Sequence, residues 1–209
     1  MRLPFTTDEF FRVFANYNLK VWPMQFVLLL MAIAIILLAL KRRSYSSKYV
    51  VLILSFLWIW MGAVYHLAFF STINKAAYIF GGIFILQGIL FLLAARSIHR
   101  ISFQFKKNIY GFTGMLFIVY SLAIYPSIGL FLGHDYPASP TFGLPCPTTI
   151  FTFGILLWMN KRVPIYLLII PLLWTAIGFL AAFSMGVYED IGLLVAGIVT
   201  AVLNTTKGK

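Results

Sequence analysis

Charged side chains are scarce in this sequence: 10% of its 209 residues are Asp, Glu, Lys or Arg, whereas 62% are hydrophobic. A soluble domain carries roughly 25% charged residues, so this chain has too few of them to cover a water-facing surface. The mean hydropathy of +0.96 agrees with that conclusion. The composition therefore excludes a soluble catalytic domain and indicates the lipid bilayer as the partner of most of the chain.

Cysteine and acidic residues are also scarce, with one Cys and five Asp plus Glu. The lone Cys146 cannot form an intrachain disulfide. The net charge of +11 would suggest nucleic acid as the partner of a soluble protein. Here the basic residues form short clusters between apolar runs, as loops of membrane proteins do, so we expect no nucleic-acid partner.

The apolar residues are grouped in seven stretches, at about 21–40, 49–71, 76–95, 109–132, 148–160, 164–185 and 188–203. Most of these stretches are long enough to cross a bilayer as helices. We predict an all-α polytopic membrane protein in which residues 21–209 form a single bundle of about seven transmembrane helices. Residues 1–20 are predicted to form an N-terminal interfacial helix, because Thr6 and Glu9 have the spacing of a capping box and Phe10, Phe14 and Tyr17 form an apolar stripe.

Basic residues predict the orientation of the bundle. With the N-terminus outside and the C-terminus inside, twelve of the sixteen Lys and Arg fall in inner loops and four fall outside. All five acidic residues then lie outside. Either acids accumulate where bases are excluded, or the outer face carries a polar site.

The segment "GHDYPASPTFGLPCPTTIF", residues 133–151, contains four prolines and Gly143, which prevent a regular helix over most of its length. The fifth helix is therefore expected to begin near Pro147. From Thr148 to Asn160 it would have 13 residues, or about 20 Å against a hydrocarbon core of about 30 Å. We predict a short fifth helix preceded by a re-entrant proline-rich loop, which either lines a cavity or plugs the bundle.

Polar residues near the outer face are the candidates for ligand binding. A helix start beside the proline-rich loop offers free backbone donors, and Glu189 and Asp190 are expected at the wet N-terminal end of the last helix. The candidate ligand-binding residues are His66, His134, Asp135, Cys146, Thr148, Thr149, Glu189 and Asp190. We predict no metal and no cofactor, although a metal or haem site at His66 and His134 is an alternative.

Aromatic and weakly polar residues, not charges, occupy the middle of the predicted spans. Trp58, Gln87, Tyr120 and Trp174 either line a pocket or hold neighbouring helices together. The absence of Asp, Glu, Lys and Arg at mid-span argues against an ion-coupled transporter and against a retinal protein.

Three motifs carry a family resemblance: "LPFTTDEF" at the N-terminus, "WMGAVYHLAFF" in the second span and "PTFGLPCPTTIFTFG" before the fifth. They resemble a family of small bacterial multipass membrane proteins catalogued only as a domain of unknown function. The resemblance implies a multi-pass protein of the bacterial inner (plasma) membrane. It supplies no activity and no catalytic residues, although members are sometimes labelled permease-like.

Three functional hypotheses follow. The first is a permease-like or binding module with an outward-facing site for a small solute or lipid-like ligand. The second is an accessory or structural subunit that acts through membrane-protein partners or as a homo-oligomer. The third, a membrane enzyme that uses Cys146 with extracytoplasmic histidines, is weakened because the sequence shows no nucleophile–base spacing.

Overall fold

The computed structural model describes residues 4–41, 45–96 and 102–207, and this part of the chain is helical almost throughout. Its helices are α1 Thr7–Lys20, α2 Met24–Lys41, α3 Ser46–Thr72, α4 Ala77–Arg96, α5 Ile109–Phe131, α6 Pro145–Leu157, α7 Ile165–Ser184 and α8 Tyr188–Thr206. The predicted all-α membrane fold is confirmed.

Six of the described helices, α2 to α5 with α7 and α8, are long and apolar enough to cross a membrane. The shorter α6 has 13 residues, or about 20 Å, so the expected short helix after the proline-rich loop is present. It begins at Pro145 rather than near Pro147, because proline also fits the first turn of a helix. The N-out orientation stays a prediction, and several basic residues that support it (Arg42, Arg43, Arg100 and Lys209) lie outside the described residues.

Helix α6 is the central element of the bundle. Every one of its residues except Cys146 is buried, and its sides pack mainly against α5, α7 and α8. The indole of Trp58 in α3 also donates a hydrogen bond of 3.1 Å to Thr152 Oγ1 in α6. Because α6 is enclosed by protein, its length does not have to match the thickness of the bilayer.

Glycines permit the closest helix crossings. A Cβ on Gly154 of α6 would lie 2.7 Å from the carbonyl oxygen of Gly114 in α5, and a Cβ on Gly114 would lie 2.6 Å from the carbonyl oxygen of Gly154. Gly62 of α3 and Gly81 of α4 face each other in a similar way. Backbones at such contacts touch directly, as is common between membrane helices.

Two long helices contain a π-helical segment. In α3 it spans Met61–Phe69, and in α5 it spans Tyr120–Ile124 and ends just before Pro126. Wide turns of this type shift the side chains that follow and often occur at functional sites. Here they affect the positions of His66 and Tyr125.

Helix α1 packs against the bundle. Its predicted capping box is confirmed: the Thr6 side chain accepts from the Glu9 N–H, and the Glu9 carboxylate accepts from the Thr6 N–H. The hydrogen bonds from the Thr6 backbone and side chain lower the pKa of Glu9. The predicted stripe of Phe10, Phe14 and Tyr17 is buried, and burial raises the pKa of Tyr17 to about 12.

The proline-rich loop is tied to α1 by Asn18, whose side chain is fully buried. Its Nδ2 donates to the carbonyl oxygens of Pro137 and Ser139 at 2.7 and 2.8 Å. Its Oδ1 accepts a hydrogen bond of 2.7 Å from the Thr141 hydroxyl. The Asn18 side chain therefore supplies hydrogen bonds to polar groups of the loop, whose backbone lacks the hydrogen bonds of a helix.

Candidate functional site

A cavity of about 480 Å³ lies at the end of the bundle where α6 begins. Its wall is built from α1, the end of α3, the C-terminal half of α7, the end of the proline-rich loop and the first turn of α6, with single residues from α4, α5 and α8. Its volume falls in the range of roughly 300–1,000 Å³ that is typical of small-molecule sites. The cavity is the main candidate for a functional site in the described part of the chain.

Aromatic rings form most of the cavity wall. The rings come from five helices and from a residue two positions before α1: Phe5, Phe10, Phe14, Tyr65, Phe70, Phe80, Tyr125 and Trp174. They also contact one another. Tyr65 and Phe70 stack with centroids 5.8 Å apart, and Phe10 and Phe14 lie 4.7 Å apart. The cavity is therefore a mostly apolar space suited to a hydrocarbon or aromatic group.

The polar part of the wall is centred on Asp190, which is 2% exposed. Its Oδ1 accepts a hydrogen bond of 2.7 Å from the hydroxyl of Tyr125. The thiol of Cys146 interacts with the same carboxyl and also lies next to the Trp174 indole N–H. That buried N–H makes no hydrogen bond within normal distance and angle limits. A carboxyl, a thiol and an unpaired indole N–H thus face one apolar cavity.

Cys146 is half-buried, and it lines the cavity. We therefore expect a reagent to reach the thiol through the cavity.

Beside the cavity, the adjacent acidic residue Glu189 forms a second buried polar cluster. Its Oε1 lies 2.9 Å from Nδ1 of His134, and the Glu189 side chain is fully buried while that of His134 is 12% exposed. The backbone carbonyl of Glu189 accepts a hydrogen bond of 2.7 Å from the Tyr120 hydroxyl. Phe11 of α1 packs on the His134 ring with centroids 4.7 Å apart.

His134 is positioned by the end of α5. Gly133 adopts a positive φ of 83°, and the His134 N–H then donates to the carbonyl oxygen of Gly129 at 2.9 Å. This is a common way to end a helix, because glycine adopts the left-handed conformation at no steric cost. Gly129 also leaves space for the Glu189 carboxylate, since a Cβ there would lie 3.1 Å from Oε1.

The expected place of Glu189 and Asp190 at the start of the last helix is confirmed, since they belong to the first turn of α8. The expectation of a wet interface is wrong, because both side chains are buried. In the described residues, the contact between Glu189 and His134 is the only one within 4 Å between an acidic and a basic side chain, and no Lys or Arg is paired with either carboxyl.

The structure brings together six of the sequence-predicted residues. Cys146, Trp174 and Asp190 line the cavity, and Tyr120, His134 and Glu189 form the cluster next to it. Of the remaining six, His66 contacts the ring of Trp174, and the other five lie elsewhere.

Three of the remaining six make local or interhelical contacts. Thr148 Oγ1 accepts a hydrogen bond of 3.0 Å from the Gly143 N–H and so stabilises the turn before α6. Trp58 bonds to Thr152 as described, and Gln87 Nε2 donates to the Leu167 carbonyl oxygen at 3.2 Å.

The other three have different surroundings. Thr149 is buried with an unpaired hydroxyl, and Asp135 is exposed. His66 is fully buried among rings, with Phe84 and Trp174 at centroid distances of 4.6 and 5.1 Å. Neither of its ring nitrogens has a partner among the described residues, and its neighbours differ from those of His134.

Two features of the site were not predicted from the sequence. One is the hydrogen bond from Tyr125 to Asp190, and the other is the contribution of α1 to the cavity wall. Nothing in the sequence around Tyr125 distinguishes it from the other tyrosines near span ends. For α1 a signal was present, since Phe10 and Phe14 belong to the recognised apolar stripe. The stripe indicates a buried face without indicating what covers it.

These features define a helical integral membrane protein with an aromatic cavity at one end of its bundle. A family model described as "Family of unknown function (DUF6064)" matches residues 7–208. The chain therefore belongs to the DUF6064 family, in agreement with the resemblance seen in its motifs. Comparisons with curated proteins and with solved structures gave no match.

Proposed function

We propose that this protein is a membrane binding module that holds a lipid-like, amphipathic molecule in the cavity at the start of α6. The supporting observation is the combination of an aromatic cavity with a few polar groups on one part of its wall. Ligand sites commonly have this composition, in which apolar area supplies affinity and a few polar groups fix orientation.

The cavity-lining residues of α7 favour a ligand that enters the cavity from the bilayer. Ile177 and Leu180 line the cavity, yet they are 43% and 59% exposed on the outside of the bundle. A helix surface that faces both the cavity and the lipid offers a lateral route. A hydrocarbon chain can follow that route without crossing water.

Binding is better supported than permeation through the bundle. The cavity ends at the first turn of α6, and the rest of α6 is buried among its neighbours. At the opposite end of α6, Lys207 Nζ donates a hydrogen bond of 2.7 Å to the Leu157 carbonyl oxygen. Burial there, together with the positive charge of Lys106, lowers the pKa of Lys207 to about 8.

We propose that the cavity faces outward from a bacterial inner membrane. The support is the distribution of Lys and Arg, because Lys161 and Arg162 follow α6 whereas the segment 133–147 before it contains no basic residue. A reporter fused after Arg162 should report cytoplasm, and a reporter fused near Ser139 should report the outside. A cytoplasmic signal near Ser139 would contradict both the orientation and the outward-facing cavity.

Occupancy can be tested with the single cysteine of the chain. In nanodiscs, N-ethylmaleimide should modify Cys146 slowly, and dodecanol should slow the reaction further because it fills the cavity. Intact-mass spectrometry gives the rate. The control is a Cys146→Ser, Asp135→Cys variant, whose introduced thiol is exposed and should react fast with or without dodecanol. A Cys146 rate that dodecanol does not change would contradict the proposal.

A further inference from the structure

The charges around the cavity restrict the ligand further. We propose that it is a cationic amphiphile, with an ammonium group at Asp190 and a hydrocarbon chain among the aromatic rings. This inference rests on the proposed binding function and names the class of molecule that the cavity holds.

The first argument is the environment of Asp190. Tyr125 donates a hydrogen bond to its carboxyl and the Cys146 thiol faces it, but both groups are neutral donors. A carboxylate accepts several hydrogen bonds, so the pairing of Oδ1 with Tyr125 leaves acceptor capacity for a further donor. Burial of a carboxylate without a counter-charge is unfavourable.

The second argument is the absence of a protein cation at this carboxyl. Among the described residues, no Lys, Arg or His lines the cavity. The nearby His134 is paired with the other carboxyl, that of Glu189. Either a proton neutralises Asp190 or a cation arrives with the ligand, and these alternatives predict different binding preferences.

The third argument comes from the rings. Tyr65 and Phe70 line the same cavity as Asp190, and aromatic rings attract ammonium groups that lie over their faces. The carboxylate of Asp190 repels an anionic head group. The cavity is therefore suited to an alkylammonium ion and poorly suited to a fatty acid.

Four probes with the same chain length separate these possibilities: dodecyltrimethylammonium, dodecylammonium, dodecanol and dodecanoate. Each is added to the protein in nanodiscs, its concentration in the disc is measured, and protection of Cys146 from N-ethylmaleimide is recorded. We expect the two ammonium probes to give half-protection at a concentration at least about tenfold below that of dodecanol, with dodecanoate the weakest. Tenfold corresponds to one well-formed charge-assisted contact.

Asp190→Asn should remove this preference while leaving protection by dodecanol, since the variant keeps the shape of the side chain and loses its charge. Asp135→Asn, at an exposed carboxyl, should leave the preference unchanged. A preference that survives Asp190→Asn would overturn the inference. Because the probe series uses the unmodified protein, it decides the matter even if Asp190→Asn does not fold.

The outcomes also separate this inference from the proposed function. Equal protection by ammonium probes and dodecanol would overturn the cationic ligand and leave the binding module standing. Strongest protection by dodecanoate would likewise overturn the cationic ligand and leave the binding module standing. Protection by none of the four probes would contradict both proposals.

Discussion

Gly154→Leu is expected to prevent the bundle from assembling. Gly154 lies in the enclosed helix α6, where even a Cβ would approach the Gly114 carbonyl oxygen to 2.7 Å and the Ile118 Cγ1 to 2.8 Å. The first of these neighbours is backbone and cannot rotate away. The insertion of extra methylene groups into a packed core costs about 1–3 kcal/mol, and a forced separation of α5 and α6 adds the loss of their other contacts.

The matched control is Gly82→Leu in α4. A Cβ on Gly82 meets no atom within 4 Å, and the residue is exposed on the outside of the bundle. The same chemical change should therefore leave assembly intact. Size-exclusion profiles and thermal unfolding of the two purified variants give the comparison, with Gly154→Ala expected between them. Equal stability of Gly154→Leu and Gly82→Leu would contradict the direct contact of α5 with α6.

The membrane helices could be predicted from sequence because hydropathy alone reports them. The short α6 could be predicted for a different reason: Pro145, Pro147 and Gly143 limit where a helix can begin. These residues define the start of the helix only to within about one turn, because proline is tolerated throughout the first turn. This explains why the helix starts at Pro145 instead of near Pro147.

The residues that meet at the site could be predicted only in part. In a membrane protein, lipid-facing and core positions are both apolar, so hydropathy does not show how a helix is rotated. Phe131 is 92% exposed whereas Phe151 is fully buried, and the sequence gives no reason for the difference. The pairing of Tyr125 with Asp190 depends on such rotations.

Polar residues near the predicted outer face were easier to recognise, because they are rare in an apolar chain. Glu189 and Asp190 were identified for this reason, and the structure shows both beside the cavity. Their partners could not be identified. His66 and His134 look alike in sequence, yet His134 pairs with Glu189 and His66 contacts only aromatic rings among the interactions described above.

His134→Ala is expected to destabilise the protein by about 1–3 kcal/mol, since it leaves the buried carboxyl of Glu189 without its hydrogen-bond partner. Glu189 is fully buried, its Oε2 already has no partner, and its Oε1 lies 2.9 Å from the His134 ring. Removal of the imidazole also removes the surface on which Phe11 of α1 packs. Thermal unfolding in a single detergent gives the change in stability.

The unpartnered carboxyl of Glu189, and not only the lost packing, should account for most of this effect. Glu189→Gln in the His134→Ala background removes the unpaired carboxylate and keeps its shape, so it should restore a large part of the lost stability. Glu189→Gln alone should cost less than His134→Ala, because the amide oxygen can still accept a hydrogen bond from His134. The neighbouring Asp135→Ala changes an exposed carboxylate and should stay within about 0.5 kcal/mol of the unmodified protein.

If the effects of His134→Ala and Glu189→Gln were simply additive, the two side chains would not be coupled. The link between α8 and the end of α5 would then depend on the Tyr120 hydrogen bond to the Glu189 backbone.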